Sequence, residues 1–252
     1  MRILVIEDKQ SHRESAKETL SAHELTIVKS FDEAMELMSQ KIDKDNVQRL
    51  LVEAGFPTMP DSKDKERWSA YWKAHDEAGA MSVIPFPFEV VLTDMMMPMS
   101  RKTLAPGVFN SGEQVPYGFI IALKATLCGA KFVAMVTETN HHQGAMSAAI
   151  DHIGDAYYHG FKPNFVVNGA RVMFVHTPFV EDPALGVECY NCVGGTACGY
   201  CRTPLDAKGK CPHAKEDAEH SKPCHVCNGK GTHDTTVHER KDWGKVLTDL
   251  TA

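Results

Sequence analysis

Three acids stand where strands end. Glu7 and Asp8 close the apolar run "RILVI", and Asp94 closes "VVLT" before three methionines and Pro98. A buried strand has no use for a carboxylate at its tip unless something offsets the charge. Three such carboxylates could jointly hold a divalent cation, because hard cations such as Mg²⁺ take carboxylate, carbonyl and water oxygens. Asp94 then becomes a candidate phosphoryl acceptor. The cation would offset charge on the incoming phosphoryl oxygens, and the Thr137 hydroxyl could donate a hydrogen bond to one of them. A different chemistry is open to the histidines. His141, His142 and His176 follow later strands, and with Asp8 and Asp94 they would form a mixed His/carboxylate metal site of hydrolytic type.

A second group of residues is unmistakably metal-like. Of eight cysteines, Cys128 stands alone and the other seven lie between Cys189 and Cys227. Cys189/Cys192, Cys198/Cys201 and Cys224/Cys227 are Cys-x2-Cys pairs, with Cys211 and His213 between them. A two-residue gap lets both thiolates of a pair face one ion, and Zn²⁺ takes four such ligands in a tetrahedron. Three pairs plus Cys211 and His213 supply donors for about two Zn²⁺ ions.

These residues need elements to hold them. "RILVIED", "ELTIVKS", "FEVVLTD", "KFVAMVTET" and "ARVMFVHTPF" read as five strands. "QSHRESAKETL", "FDEAMELMSQKI", "YGFIIALKATLCG", "HQGAMSAAIDHI" and "RKDWGKVLTDL" read as helices between and after them. In the last, Trp243, Val246, Leu247 and Leu250 form an apolar stripe. Strands alternating with helices predict a doubly wound α/β fold with a parallel sheet, whose ligands bind at the carboxyl ends of the strands. Three segments fall outside the alternation: two further helices within about 40–87, a Pro/Gly-rich loop at 99–117, and the cysteine-rich stretch at 183–238. The aromatic stripe Trp68, Tyr71, Trp72 and His75 in the first of these is expected to pack on the main body. The expected domains are 1–182 together with 239–252, and the insert 183–238.

"ILVIED", "LTDMMMP" and "VAMVT" together resemble the receiver domain of two-component response regulators. The resemblance implies a flavodoxin-like sheet of five strands in the order 2-1-3-4-5. It implies phosphoryl acceptance at Asp94 from a sensor kinase or small phosphodonor. It implies Mg²⁺ held by Asp8 and Asp94, with Glu7 in the acidic pair and a main-chain carbonyl at Met96. Thr137 matches the hydroxyl residue ending the fourth strand, and Gly118 the glycine opening the third helix. Two residues compete for the place of the family's lysine. Lys162, in Lys162-Pro163, has nearly the family spacing from Thr137, whereas His176 ends the better strand. The strand pattern favours His176, which leaves no lysine there. A phosphatase of the haloacid-dehalogenase type would want an Asp where Met96 stands. A pseudo-receiver that binds proteins without phosphorylation is the alternative within the fold.

The cysteine-rich stretch, with "CVGG" and "CNGKG", resembles the zinc region of DnaJ-type co-chaperones. That resemblance implies one site from Cys189, Cys192, Cys224 and Cys227. It implies a second from Cys198, Cys201 and Cys211 with His213, or else His220. The insert would be a structural staple held by zinc, with a protein-binding knob as the alternative, and a protein partner is expected on the face of the last strand and helix or on the insert.

The chain has 252 residues and a net charge of −6. That balance carries no broad basic footprint for nucleic acid. No apolar run is long enough to span a bilayer, and the N-terminus lacks the pattern of a signal peptide. A cytoplasmic location is the expectation, and paired cysteines in a reducing compartment fit metal better than disulfides.

Overall fold

The central strands form because short, β-branched apolar runs can bury both faces when helices cover each side. They are β1 (Arg2–Ile6), β2 (Glu24–Val28), β5 (Val90–Asp94), β8 (Phe132–Thr137), β9 (Asn164–Val167) and β10 (Ala170–His176). The two-residue strands β3 (Lys41–Ile42), β4 (Val83–Ile84), β6 (Met97–Pro98) and β7 (Gln114–Val115) lie outside this sheet. The protein is seen in a computed structural model that describes residues 1–100, 102, 113–138, 164–188, 190, 193–198, 202–207, 209–211, 222–224, 227–228, 230, 232–237 and 239–252.

The sheet has six strands in the order β2-β1-β5-β8-β10-β9. The first five are mutually parallel and β9 is antiparallel to β10. The fold is therefore mixed α/β, with one strand more than the five expected. The reason is local. Asn168 and Gly169 both have positive φ, 50° and 78°, which is the two-residue turn that lets a hairpin close tightly.

Alternation along each strand sends side chains to two cores. Leu4, Ile6, Val91, Val133, Met135, Val172 and Phe174 face α2 (Phe31–Leu37) and α5 (Tyr117–Cys128). Ile3, Val5, Val90, Leu92, Ala134, Val136 and Met173 face α1 (Gln10–Thr19) and α6 (Trp243–Thr251). Each fully buried Val, Leu or Ile is worth about 1.5–3 kcal/mol relative to exposure. The stripe read from the sequence of α6 is the buried one: Trp243, Val246, Leu247 and Leu250. The helix read over 142–153 lies outside the described residues.

Between β3 and β4 lie α3 (Lys44–Glu53) and α4 (Lys65–Met81). The ladder Lys41↔Ile84 and Ile42↔Val83 closes the base of this excursion. Its aromatic stripe does not bury against the sheet. Phe56 meets Tyr71 edge-on, Trp68 and His75 meet Trp72, and Trp72 stays exposed. The stripe packs on α3 and on itself.

The chain divides into two units, Met1–Pro178 with Lys241–Ala252, and Phe179–Arg240. The second unit thus begins and ends a little outside the expected 183–238. Its frame is an antiparallel pair, β11 (Asp182–Glu188) with β12 (Thr232–Val237). At its base the Val180 N–H donates to the Arg240 carbonyl, and the Arg240 guanidinium binds both oxygens of Asp182 at 2.7 and 2.5 Å.

Candidate functional site

Parallel pairing brings the strand ends together. Ile6 stands opposite Thr93, so Glu7 and Asp8 leave β1 beside the tip of β5. Ligand atoms of Glu7, Asp8 and Asp94 lie within 4.8 Å of one another. Asp94 itself pairs with Val136, which sets Thr137 one residue further along β8. Thr137 and Asp94 are both buried.

The loop after Asp94 is held closely. The Met95 N–H donates to the Val136 carbonyl at 2.8 Å and to Asp94 Oδ1 at 2.9 Å. The helix α5 begins against this turn, with the Gly118 N–H donating to the Met95 carbonyl at 3.0 Å. A Cβ on Gly118 would lie 2.5 Å from the Asp94 carbonyl and 2.6 Å from Met95 Cα. Only glycine permits that approach.

A fourth group completes the site. Lys241 is fully buried, with its ammonium 2.9 Å from Asp94 Oδ1 and 2.7 Å from Glu7 Oε2. The cation found against Asp94 is thus not His176, the residue that the strand pattern favoured. Lys162 lies outside the described residues, and His176 ends β10 with its side chain exposed. Sequence reasoning missed Lys241 because it searched forward from the fifth strand. The residue arrives only after the whole second unit, one position before Asp242, which caps α6 by accepting from the Lys245 N–H at 2.9 Å. The signal that finds it runs backward, from the amphipathic last helix to the lysine just before its cap.

The carboxylates differ in how they are satisfied. Glu7 Oε1 accepts from the Lys9 N–H at 3.0 Å and Oε2 from Lys241. Asp8 Oδ1 is buried with no hydrogen-bond partner. An orphaned buried carboxylate oxygen is costly and marks a place for a cation. Asp8 is therefore the acid with an oxygen to give. Among the described residues, the Met95 N–H and the Lys241 ammonium both meet Asp94 on Oδ1.

The Lys241 ammonium faces Glu7 and Asp94, while the Arg13 guanidinium donates to the main-chain carbonyls of Glu7 and Asp8. Burial pushes Glu7 up to about 7, against the pull of Lys241 and with the push of Asp94. Burial likewise raises Asp94 against Lys241, and Asp8 adds to the rise. Burial works against the Lys241 charge, but Asp94 and Glu7 outweigh it and raise its pKa. The ammonium therefore stays charged, and burial favours a proton on Glu7 toward neutral pH. Such a site attracts further positive charge.

In the second unit, Cys198, Cys211, Cys224 and Cys227 are buried. Cys189, Cys192, Cys201, His213 and His220 lie outside the described residues, as do His141 and His142. The backbone nevertheless carries a pattern. Val193, Arg202 and Asn228 have φ of 48°, 60° and 52°. Each directly follows the second cysteine of a Cys-x2-Cys pair. A β-branched valine at positive φ is a costly conformation, and it recurs at equivalent positions of all three pairs. At one of these turns the Arg202 N–H donates to the Cys198 carbonyl at 2.9 Å. Cys128 has no part in this: its thiol donates to the Met38 carbonyl at 3.3 Å, and burial pushes its pKa up.

No protein-family model matches this chain, and neither a curated protein nor a solved structure matches it significantly.

Proposed function

We propose that this protein is a receiver-type phosphoryl acceptor, modified at Asp94, that carries a zinc-stabilised insert. The observation that carries the reading is the Lys241 ammonium 2.9 Å from Asp94, beside an Asp8 oxygen with no partner. A buried acid supplied with a fixed cation, and flanked by an unused carboxylate oxygen, suits an incoming dianionic group better than a structural ion pair does.

Asp94 Oδ2 would attack the phosphorus of a phosphohistidine on a sensor kinase, or of a small acyl phosphate. The new O–P bond forms as the bond to the donor breaks, and the donor leaves with the electron pair. Lys241 and the Thr137 hydroxyl would bind phosphoryl oxygens through hydrogen bonds. Asp8 and Asp94, with the Met96 carbonyl, would hold Mg²⁺, which supplies charge that the lysine alone cannot. Glu7 has both oxygens committed to Lys9 and Lys241, so it orients the lysine and completes the acidic pair. A hydrolase built on His141, His142, His176 and the acids has less support, because His176 is exposed.

Zinc in the insert is supported by the donor set and by the repeated left-handed turn after each cysteine pair. The ligands would be Cys189, Cys192, Cys224 and Cys227 for one ion, and Cys198, Cys201, Cys211 and His213 for the other. The insert would also offer the protein-binding surface. No described helix is long and apolar enough to cross a membrane.

The test is labelling with acetyl phosphate and Mg²⁺. Wild-type protein should take up one phosphoryl group per chain, and Asp94→Asn none. Equal labelling of the two would remove Asp94 as acceptor.

A further inference from the structure

The geometry points to His12 and Ser15 of α1 as positioning residues for Lys241, holding its main chain so that the ammonium reaches Asp94. The inference rests on the phosphoryl-acceptor reading for its consequence, though not for its geometry. β10 ends at His176, and the second unit intervenes before Lys241. Strand continuity therefore does not place this lysine. A long flexible side chain reaches a target reproducibly only when its own Cα is fixed.

α1 does the fixing. The Lys241 N–H donates to His12 Nδ1 at 3.3 Å, and the Ser15 hydroxyl donates to the Lys241 carbonyl at 2.6 Å. All three residues are buried. One residue further on, the Asp242 N–H donates to the Pro178 carbonyl at 2.8 Å, and the Trp243 indole N–H donates to the His12 carbonyl at 3.0 Å. The main-chain N–H and carbonyl of Lys241 are thus both held by side chains of a single helix.

His12 suits this task by its tautomer. A main-chain N–H can only donate, so Nδ1 must be unprotonated. Nε2 then carries the proton and faces Glu138 Oε2 at 3.2 Å. Glu138 is itself paired with Lys9. The ring is held at both nitrogens, which fixes the acceptor that Lys241 meets.

The plain alternative is that these groups merely satisfy one another in the α1–α6 contact. Two isosteric variants separate the readings. His12→Asn keeps an acceptor oxygen near the place of Nδ1, whereas His12→Phe keeps bulk and removes the acceptor. Ser15→Ala removes the hydroxyl with little change of volume and stands in should His12→Phe fail to fold. Each full-length variant is assayed for the labelling rate with acetyl phosphate and Mg²⁺, and by nitrogen-15 NMR for a slowly exchanging buried lysine ammonium. We expect His12→Phe and Ser15→Ala to slow labelling by about tenfold, with His12→Asn recovering most of the rate. The ammonium signal should be present in wild type and His12→Asn and be lost in the other two. Equal rates and signals in His12→Asn and His12→Phe, or a signal unchanged in Ser15→Ala, would overturn the inference. If wild type is not labelled at all but the ammonium follows this pattern, the positioning role stands and the acceptor reading falls.

Discussion

The Lys241 ammonium lies 2.9 Å from Asp94 Oδ1, and both residues are buried at the carboxyl edge of the sheet. Lys241 also holds Glu7 at 2.7 Å, 234 positions away in the chain. The contact ties the last segment of the protein to its first strand and its central one.

Removing that cation should be costly. Lys241→Met leaves Glu7 and Asp94 buried without their partner, and breaking such a pair costs about 3–5 kcal/mol. Urea denaturation at neutral pH should show a loss near the lower end, because the acids can take up protons instead. The loss should shrink at acidic pH, where those carboxylates are neutral anyway. A variant as stable as wild type at neutral pH would mean that the pair is electrostatically idle.

The pH dependence of stability has a separable part at His12. Burial, with help from Lys241 and Lys9, lowers its pKa from 6.5 to about 4. Glu138 Oε2 faces the same ring at 3.2 Å. The unfolded chain therefore binds the extra proton first as pH falls. The stabilisation is present above about 6.5 and is lost as pH drops toward about 4. Glu7, raised to about 7, acts in the opposite sense across an overlapping range, so the two partly cancel in wild type. Comparing wild type with His12→Asn isolates the histidine. The stability difference should narrow from neutral pH toward pH 4 by on the order of 2 kcal/mol. A pH-independent difference would contradict the buried neutral imidazole.

Gly118 offers a steric test. Its substitution by alanine would press a methyl group onto the Asp94 carbonyl and Met95 Cα, backbone atoms that cannot turn aside. Gly118→Ala should cost at least about 2 kcal/mol and weaken Mg²⁺ binding by displacing the Asp94 turn. Calorimetric titration with Mg²⁺ at a temperature where the variant is folded checks the second effect. Unchanged affinity would separate the turn from the metal site.

Much of this arrangement was legible in the sequence, for identifiable reasons. The parallel strands announce themselves as β-branched runs, and acids at the tips of Ile6 and Thr93 break the apolar pattern where a site can lie. The buried face of α6 follows from its spacing alone. Lys241 was not legible by counting forward, because Phe179–Arg240 separates it from its strand. The antiparallel β9 breaks the pattern of alternating strands and helices, and its signal is the Asn168-Gly169 hairpin turn. Trp68 and Trp72 have the spacing of a buried stripe, but their ring contacts are with each other and with neighbouring rings of the same excursion. Spacing tells which residues share a face, and it does not tell what the face meets.

Metal content tests the insert. Reduced protein purified from zinc-containing medium should carry about two Zn²⁺ per chain, by the count of eight ligands. A chelator or acid should release the metal and unfold the insert first, because thiolates must be deprotonated to bind. The first unit has its own cores on both faces of the sheet and should keep its secondary structure by circular dichroism. Fewer than about one Zn²⁺ per chain would sink the ligand assignment. Simultaneous loss of zinc and of the sheet would show the two units to be one cooperative domain.

The most direct test of the central claim asks which residue carries the phosphoryl group. Protein treated with acetyl phosphate and Mg²⁺ is reduced with borohydride, which converts an aspartyl phosphate to homoserine, and is then mapped by peptide mass spectrometry. Homoserine should appear at position 94 and at no other acid, dependent on Mg²⁺ and absent from Asp94→Asn. A mark at Asp8 or elsewhere, or none at position 94 under conditions where Mg²⁺ binding is measured, would contradict that claim.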